Sequence, residues 1–256
     1  MIFDTHAHYD DSAFNPDRDE LLSSLPSKGI GRVVNVTASG RSLTESPALA
    51  GKFDHVYTSA GLHPTEVYDL DMSVLDSVEA LCTYDKTVAV GEIGLDYHYP
   101  DTNVNIQKEF FEAQLDMARR QALPVIIHSR DAAKDTMDIL RSYRAGDMGG
   151  VVHCYSYSLE MAREYADMGL YIGVGGVVTY KNGRKLKECV EYLPLESIVL
   201  ETDCPYLAPE PKRGQRNSSL NLGYVAAEIA HIKGMTIQEV EDITFGNAMK
   251  LYRMEH

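Results

Sequence analysis

The sequence predicts a TIM (β/α)8 barrel that forms a single domain over residues 1–256. Eight short runs of β-branched and apolar residues recur along the chain, and stretches with helical spacing separate them. Strand followed by helix, eight times in about 250 residues, is the outline of this barrel. A doubly wound open sheet is the alternative. The turn after the first predicted strand, THAHYDDSAF, lacks the glycine-rich dinucleotide fingerprint that would favour that fold.

The predicted strands follow one another along the whole chain. They cover residues 2–4, 32–36, 55–60, 87–93, 124–128, 150–153, 170–174 and 197–202. The clearest helix is predicted over residues 105–121, where Phe110, Phe111, Leu115 and Ala118 recur at three- and four-residue intervals. Further helices are predicted over residues 17–25, 72–83, 132–143, 159–168, 183–192, 222–232 and 237–254.

The composition narrows the class of protein. Hydrophobic residues make up 44% of the chain and charged residues 24%, which favours a packed core over disorder. No apolar run approaches the ~20 residues of a membrane span, and Asp4 interrupts the apolar start, so no signal peptide is predicted. The four cysteines form no CxxC pair, which favours a reducing, cytoplasmic location over a disulfide framework.

The charge balance bears on possible partners. The chain carries 24 Lys and Arg against 38 Asp and Glu, a formal net charge of −14. Proteins that coat nucleic acid are usually basic, so this balance argues against that class. It leaves open an enzyme that takes a phosphodiester into a small, locally positive site.

Two histidines follow the first predicted strand. Side chains of an extended chain alternate, so His6 and His8 project together from the strand end and could hold one metal ion. Asp4, two residues before His6, is expected on the same inward face. A His-x-His pair by itself is a weak signal, because surface histidines produce it by chance.

Polar residues also end four other predicted strands: Glu92, His128, His153 and Asp203. Each has a structural explanation, since Glu92 could cap a helix, either histidine could be a satisfied core residue, and Asp203 could start a turn. A closed barrel, however, brings all these strand ends to one face, where barrel enzymes keep their active sites. Five coincidences of this kind favour a shared site.

The candidate ligands indicate the kind of metal. Four histidines and two carboxylates suit Zn, Mn, Ni, Co or Fe better than Ca, and Mg stays open because nucleases often use it. Six ligands exceed a tetrahedral site that keeps an open position. The pattern therefore predicts two divalent metal cations with one carboxylate between them. Their charge would make the site locally positive inside an acidic protein.

In this order, the motifs resemble those of the TatD family of metal-dependent deoxyribonucleases. The matching stretches are DTHAHYD (4–10), GLHP (61–64), VGEIGLDY (90–97), LPVIIHSRDA (123–132), HCYS (153–156) and ETDCPYLAPEPKRGQRN (201–217). The resemblance implies a barrel hydrolase with two divalent metals. The implied ligands are His6, His8, Glu92 and Asp203 for the first ion, and Glu92, His128 and His153 for the second.

The resemblance also implies the reaction, which is hydrolysis of phosphodiester bonds in DNA from single-stranded 3′ ends. RNA stays open as a second substrate. Family members often continue the arginine-rich segment with Asn-Glu-Pro, whereas here Ser218 and Ser219 follow Asn217. This difference does not involve any of the six ligands. It leaves undetermined which residues around this loop contact the substrate.

The catalytic candidates are Asp203, Glu92 and Glu201. We hypothesise that a hydroxide formed with the help of both ions attacks phosphorus, while Asp203 orients the water and takes its proton. Glu201 lies two residues earlier and either points to the same side or orients a histidine as a hydrogen-bond acceptor.

The candidate substrate contacts are His63, Arg130, Arg213 and Arg216. His63, after the third strand, either donates to a phosphate or leaving-group oxygen or supports a ligand. Arg130 either binds phosphate bidentately or pairs with Asp131. Arg213 and Arg216, with Lys212, form a basic cluster that either contacts the nucleic-acid backbone or is a solvated loop.

Tyrosines follow several predicted strand ends, and the chain has no tryptophan. We expect one or two of them to stack a terminal base. The candidates are Tyr9, Tyr97, Tyr99, Tyr155, Tyr157 and Tyr206.

Two other functions compete with the nuclease. An amidohydrolase acting on a lactone, amide or cyclic imide shares the barrel and the His-x-His start, but often bridges its metals with a modified lysine on strand four. Here Glu92 ends that strand and Lys86 precedes it. A non-catalytic metal-binding scaffold would be favoured by loss of a ligand, yet all six are present. The sequence leaves the oligomeric state open, with a monomer favoured.

Overall fold

The computed structural model describes residues 1–254, which form an eight-stranded parallel sheet in the order β1 to β8. The strands are β1 (Ile2–Ala7), β2 (Ile30–Asn35), β3 (Val56–Ala60), β4 (Thr87–Asp96), β5 (Val125–Arg130), β6 (Gly150–Val152), β7 (Tyr171–Val174) and β8 (Ile198–Leu200). Each strand pairs with the next one along the chain. This is the single-domain TIM barrel that the sequence predicts.

Helices lie between the strands and after the last one. They are α1 (Arg18–Ser24), α2 (Ser42–Lys52), α3 (Leu75–Cys82), α4 (Val104–Gln121), α5 (Ala133–Ser142), α6 (Leu159–Asp167), α7 (Arg184–Tyr192), α8 (Leu222–Lys233) and α9 (Ile237–Leu251). Within residues 1–254, none of the helices combines the length and the apolar character needed to cross a membrane.

The boundaries differ from the predicted ones in several places that matter for the site, among them β1 and β5, which run on to Ala7 and Arg130. Helix α2 is absent from the prediction, because Pro47 and several serines and threonines obscure its helical pattern. Strand β4 continues past Ile93 to Asp96, and the residues that follow Leu200 lie outside β8. The added length of β4 brings a further carboxylate to the site end of the barrel.

Hydrogen bonds between β1 and the segment after β8 close the barrel. The amide of Asp203 donates to the His6 carbonyl at 2.9 Å, and the amide of His8 donates to the Cys204 carbonyl at 2.9 Å. Ala7 and Cys204 form a parallel bridge between them. These bonds hold the backbones of His6, His8 and Asp203 in one fixed register.

Apolar side chains fill the amino-terminal half of the barrel interior. We call this group the inner cluster, and its buried members before α9 are Phe3, Val34, Val36, Val88, Ala89, Ile126, Val151 and Val199. Helix α9 and its cap close this end of the barrel, because Ala248, Met249, Leu251 and Tyr252 pack against the same cluster. The interior is therefore a packed core below the site, as in other barrels of this type.

One extra residue in β1 decides which of its side chains face the interior. Between Asp4 and Ala7, β1 advances three residues while β2 advances two. Such a β-bulge reverses the alternation, so Phe3 lies in the inner cluster and His6 also turns inward, toward the other site residues. Asp4 faces away and accepts hydrogen bonds from Thr202. The prediction that Asp4 shares the inward face of His6 is wrong for this reason.

Gly94 of β4 pairs with His128 of β5, and we expect Gly94→Ala to destabilise the fold. Its φ is +144°, and an added Cβ would lie 1.9 Å from the His128 carbonyl oxygen. Forcing the strands apart should lower the free energy of unfolding by about 1–3 kcal/mol in urea denaturation. Gly246→Ala, in an open position of α9, is the matched control and should be neutral or stabilising. Equal stability of both variants would contradict this prediction.

Candidate metal centre

The predicted ligands gather at the floor of a cleft of about 850 Å³ at the carboxyl ends of the strands. Five of them line it: His8, Glu92, His128, His153 and Asp203. His6 is fully buried directly beneath them. All six side chains thus meet at one place, although they come from five different strands or strand ends.

The Glu92 carboxylate lies at the centre of the group. Its Oε2 is 3.4 Å from His6 Nε2 and 3.8 Å from His8 Nε2. Its Oε1 is 2.8 Å from His128 Nδ1 and 3.0 Å from His153 Nε2. The two oxygens therefore face two different sets of imidazoles, which is the arrangement expected of a carboxylate between two cations.

The first set consists of His6, His8 and Asp203, one of the groupings that could hold an ion. The Nε2 atoms of His6 and His8 are 3.1 Å apart, and Asp203 Oδ1 lies 3.4 Å from His8 Nε2. His8 Nδ1 lies 3.2 Å from the Val36 carbonyl, which can only accept. The neutral ring therefore carries its proton on Nδ1 and presents the lone pair of Nε2 to the other ligands.

The second set surrounds Oε1 of Glu92. His128 lies between two carboxylates, with Nε2 3.1 Å from Asp96 Oδ2 and Nδ1 2.8 Å from Glu92 Oε1. His63 also enters this set, with Nε2 3.6 Å from Glu92 Oε1. His63 Nδ1 accepts from the Thr65 amide, so Nε2 carries the proton of the neutral ring. His63 is therefore a hydrogen-bond donor toward the cleft.

The donor atoms fit divalent cations in kind and in spacing. Ligand atoms about 2.1 Å from one ion lie roughly 3.0–3.4 Å from one another, and the contacts around Glu92 fall between 2.8 and 3.8 Å. His8 Nε2 presents a lone pair to Asp203 Oδ1, and a neutral His128 ring, which has one proton between Asp96 and Glu92, presents a lone pair to one of them. Such contacts repel unless a proton or a cation lies between them, so the arrangement suits bound metal.

The ionisation behaviour of the group agrees with a site for positive charge. Burial opposes the charged form of Glu92, but His153, His63 and His6 together hold the pKa of that carboxyl well below its usual value. Burial likewise disfavours a charged His8 ring, yet Asp203 and Glu92 raise the pKa of His8 to about 9. The carboxylates that draw a proton to this ring would attract a cation in the same way.

Glu201 lies behind the ligands and away from the open cleft. It is 1% exposed, accepts from the Cys154 amide at 2.5 Å, and lies 3.6 Å from His153 Nδ1. Gly173 makes room for it, because a Cβ there would lie 2.3 Å from Glu201 Oε2. Within the described residues, His153 Nδ1 and Glu201 Oε2 are both buried without a hydrogen-bond partner. Of the two sequence-based alternatives, this position behind His153 favours a role in orienting that histidine through its charge.

A buried polar network supports β1 from its outer side. Asp4 accepts from the amide and hydroxyl of Thr202 and from the hydroxyl of Ser219 at 2.6 Å. Tyr9 Oη lies 2.8 Å from Ser219 Oγ and accepts from the Ser219 amide. Burial raises the pKa of Asp4 to about 7 against the opposing effect of these hydrogen bonds. The Ser218-Ser219 departure from the family pattern therefore contributes a hydroxyl to the support of the site.

The predicted cationic contacts lie in different places. Arg130 lines the cleft, and Asp131, its alternative partner, pairs with His98 at 3.0 Å instead. Arg216 lies outside the cleft lining and donates twice to Asp17. Arg213 lies outside it as well, with its guanidinium 4.3 Å from the centre of the Tyr180 ring.

The six candidate tyrosines divide by exposure. Tyr9 and Tyr155 are buried, and Tyr97 and Tyr157 make hydrogen bonds to Asp135 and Ser129. Tyr99 and Tyr206 are 52% and 56% exposed, and both line the cleft. Only these two of the six offer an open ring face beside the site.

Two residues of the site, Asp96 and Arg41, were not predicted from the sequence. Asp96 lies four residues after Glu92 on the same strand, so the period-two spacing that identified the His-x-His pair would have identified it too. Arg41 lines the cleft from the start of α2, the helix that the sequence pattern does not reveal. Arg41 pairs with Glu45 at 2.7 Å.

Comparison with known proteins finds relatives along nearly the whole chain. The family model described as TatD related DNase matches residues 3–253. The Bacillus subtilis protein named uncharacterized metal-dependent hydrolase YabD is 39% identical over 254 residues, covering 99% of this chain and 100% of the relative. A Citrobacter koseri protein named 3'-5' ssDNA/RNA exonuclease TatD is 30% identical over 256 residues, covering 98% of both.

A solved structure resembles the fold closely. The Escherichia coli TatD homologue YJJV superimposes with a TM-score of 0.93 at 30% identity, covering 99% of this chain and 98% of that one.

We expect the central position of Glu92 to appear in metal stoichiometry. Glu92→Gln should lose most of both divalent ions, whereas His8→Gln should lose one, because the Glu92 oxygens face both sets and His8 belongs to the first. Glu201→Gln should keep the stoichiometry and weaken affinity about 10- to 100-fold. Titration with Zn or Mn, read by calorimetry and elemental analysis, measures both quantities. The exposed His231→Gln is the control, and loss of one ion in Glu92→Gln would contradict the shared role.

The contribution of the Ser219 hydroxyl to the network around Asp4 can be tested by measuring the free energy of unfolding. Ser219→Ala removes a donor from the buried Asp4 carboxylate and should lower the free energy of unfolding by about 1–3 kcal/mol in urea. Ser218→Ala is the matched control, because the Ser218 hydroxyl makes no hydrogen bond within residues 1–254. If both variants unfold at the wild-type urea concentration, the network does not stabilise β1.

Proposed function

This chain belongs to the TatD-related DNase family of metal-dependent hydrolases, and we propose that it removes nucleotides from the 3′ end of single-stranded DNA. RNA is included in the proposal, because the C. koseri relative is named for both substrates. The observation that supports it best is the Glu92 carboxylate shared between two sets of imidazoles on a cleft floor. When bound there, two divalent cations would acidify a water and neutralise the charge of a phosphodiester.

The proposed ligand sets follow the two faces of Glu92. With Glu92 in both, they are His6, His8 and Asp203 on one side, and His128 and His153 on the other. His63 is left out of the ligands, because its Nε2 carries the proton of the neutral ring. Burial, with the nearby His128, lowers the pKa of His63 to about 3, which keeps this ring neutral.

Asp203 is the proposed general base. Its side chain is 21% exposed and lines the cleft, so an incoming water can reach it. Asp203 would accept the proton of the attacking water while the water oxygen forms a bond to phosphorus. The bond from phosphorus to the 3′ oxygen of the remaining strand then breaks, that oxygen takes up a proton, and the terminal nucleotide leaves with the phosphate.

Three further side chains assist this step in our proposal. His63 donates from Nε2 to a phosphate oxygen or to the leaving oxygen. Arg130 binds phosphate of the strand, since it lines the cleft without a carboxylate partner in the described part of the chain. Glu201 acts through His153 as a positioning residue, because it lies behind that ring and not in the cleft.

The amidohydrolase alternative gains no support from the lysine that precedes β4. Lys86 Nζ donates to the carbonyl oxygens of Ala50, Phe53 and Val56, at the opposite end of the barrel. It therefore cannot take the place of a bridging lysine between two metals, which the Glu92 carboxylate occupies.

Shortening of 5′-labelled single-stranded DNA and RNA tests the proposed activity. We expect metal-loaded protein to remove nucleotides from the 3′ end, EDTA to abolish the reaction, and Asp203→Asn to slow it by about 10²–10⁴-fold. Asp138→Asn, an exposed carboxylate on α5, is the control and should keep full activity. Absence of metal-dependent shortening, or undiminished activity of Asp203→Asn, would refute the nuclease proposal.

A further inference from the structure

We infer that Tyr99 and Arg130 form a subsite for the nucleotide that precedes the scissile phosphate, with the base stacked on the ring and the next phosphate held by the guanidinium. The inference rests on the proposed nuclease function and extends it to the recognition of the strand. It places the part of the strand that precedes the scissile phosphate along one wall of the cleft. It also requires that the base stacked on Tyr99 is not paired with a second strand.

Tyr99 has the position of a stacking surface. It follows β4, which carries Glu92, and it lines the same cleft with 52% of its surface exposed. A single exposed tyrosine needs no explanation by itself. Here, however, the Arg130 guanidinium lies over the ring, 5.9 Å from its centre, so a cation accompanies an aromatic side chain that is still half exposed. Nucleotides present a base and a phosphate to such a pair.

Arg130 is the cation of the cleft that remains available. Two arginines and no lysine line the cleft, and Arg41 is paired with Glu45. Within residues 1–254, no carboxylate lies within ion-pair distance of Arg130, since Asp131 pairs with His98. Arg130 lies two residues after His128 on β5, so it can reach a phosphate next to the one at the metal centre. An unpaired guanidinium in this position favours an anionic ligand.

The opposite wall of the cleft has the reverse charge. Asp10, Asp11 and Glu66 line it on the β1 to β3 side, where Arg41, already paired with Glu45, is the one lining cation in the described part of the chain. A second phosphate would be repelled there, whereas the hydroxyl groups of a terminal sugar could donate to carboxylates. The charge distribution therefore places the terminal nucleoside toward β1 to β3 and leads the rest of the strand across Tyr99 and Arg130.

Unpaired bases are a consequence of this geometry. A base in a duplex has both faces covered by its neighbours and its edge paired, whereas a base from a single strand can leave its stack for an aromatic side chain. Stacking on tyrosine tolerates every base, because each one has an aromatic face. The subsite predicts selection for single-stranded ends with little dependence on sequence.

A trinucleotide assay tests the base contact. Tyr99→Leu should lower kcat/KM roughly 5- to 100-fold on a trinucleotide, and Tyr99→Phe should retain activity because it keeps the ring. An abasic middle residue should lower the kcat/KM of the wild type to a similar degree. It should lower the kcat/KM of Tyr99→Leu little further, because that variant has already lost the stacking contact. Tyr192→Leu, at a 56% exposed tyrosine outside the cleft lining, is the matched control and should behave as wild type.

A dinucleotide tests the phosphate contact, because it lacks the second phosphodiester. Arg130→Gln should raise KM for the trinucleotide by a larger factor than for the dinucleotide. Thermal melting of each variant monitors folding. If Tyr99→Leu matches Tyr192→Leu, or if the abasic and Tyr99→Leu effects multiply, the subsite is refuted while the nuclease proposal stands. If wild type cleaves neither DNA nor RNA, the nuclease proposal fails and the subsite falls with it.

Discussion

The buried carboxylate of Glu92 is the constraint on which the rest of the site depends. A charged group at 3% exposure is costly unless partners compensate it. Here imidazole nitrogens surround both of its oxygens, and those rings need hydrogen-bond acceptors of their own. Val36 supplies a carbonyl to His8, and Asp96 supplies a carboxylate to His128. These acceptors hold the rings in place around Glu92, and the contacts among the ligands themselves suit a bound cation.

The barrel holds these groups in register through its closing seam. The backbones of His6 and His8 form hydrogen bonds to the segment that carries Asp203. Because of the β-bulge in β1, the side chains of Phe3 and His6 both face the barrel interior. On the outer side of the seam, Asp4 ties β1 to Thr202 and Ser219. Stability and site geometry meet in this seam, because the hydrogen bonds that close the fold also set the ligand positions.

The acidity of the protein and a phosphodiester substrate are compatible because charge is distributed unevenly. The net charge of −14 is a property of the whole surface, whereas the cleft carries two arginines beside a cluster that attracts cations. The acidic residues on one wall and Arg130 on the other give the cleft a direction. Such an asymmetry would favour a strand end over the interior of a strand, in keeping with the proposed exonuclease.

The sequence by itself determined the barrel and the six residues that converge in the cleft. Both depend on local repetition: strands alternate with helices, and each ligand falls at the carboxyl end of a strand, which a closed parallel sheet must bring together. Only the tertiary structure decided that Asp4 faces outward, that Arg216 is paired with Asp17, and that Tyr99 stays exposed. These outcomes depend on a bulge and on contacts between residues far apart in the chain, such as Asp17 and Arg216, which no local pattern encodes.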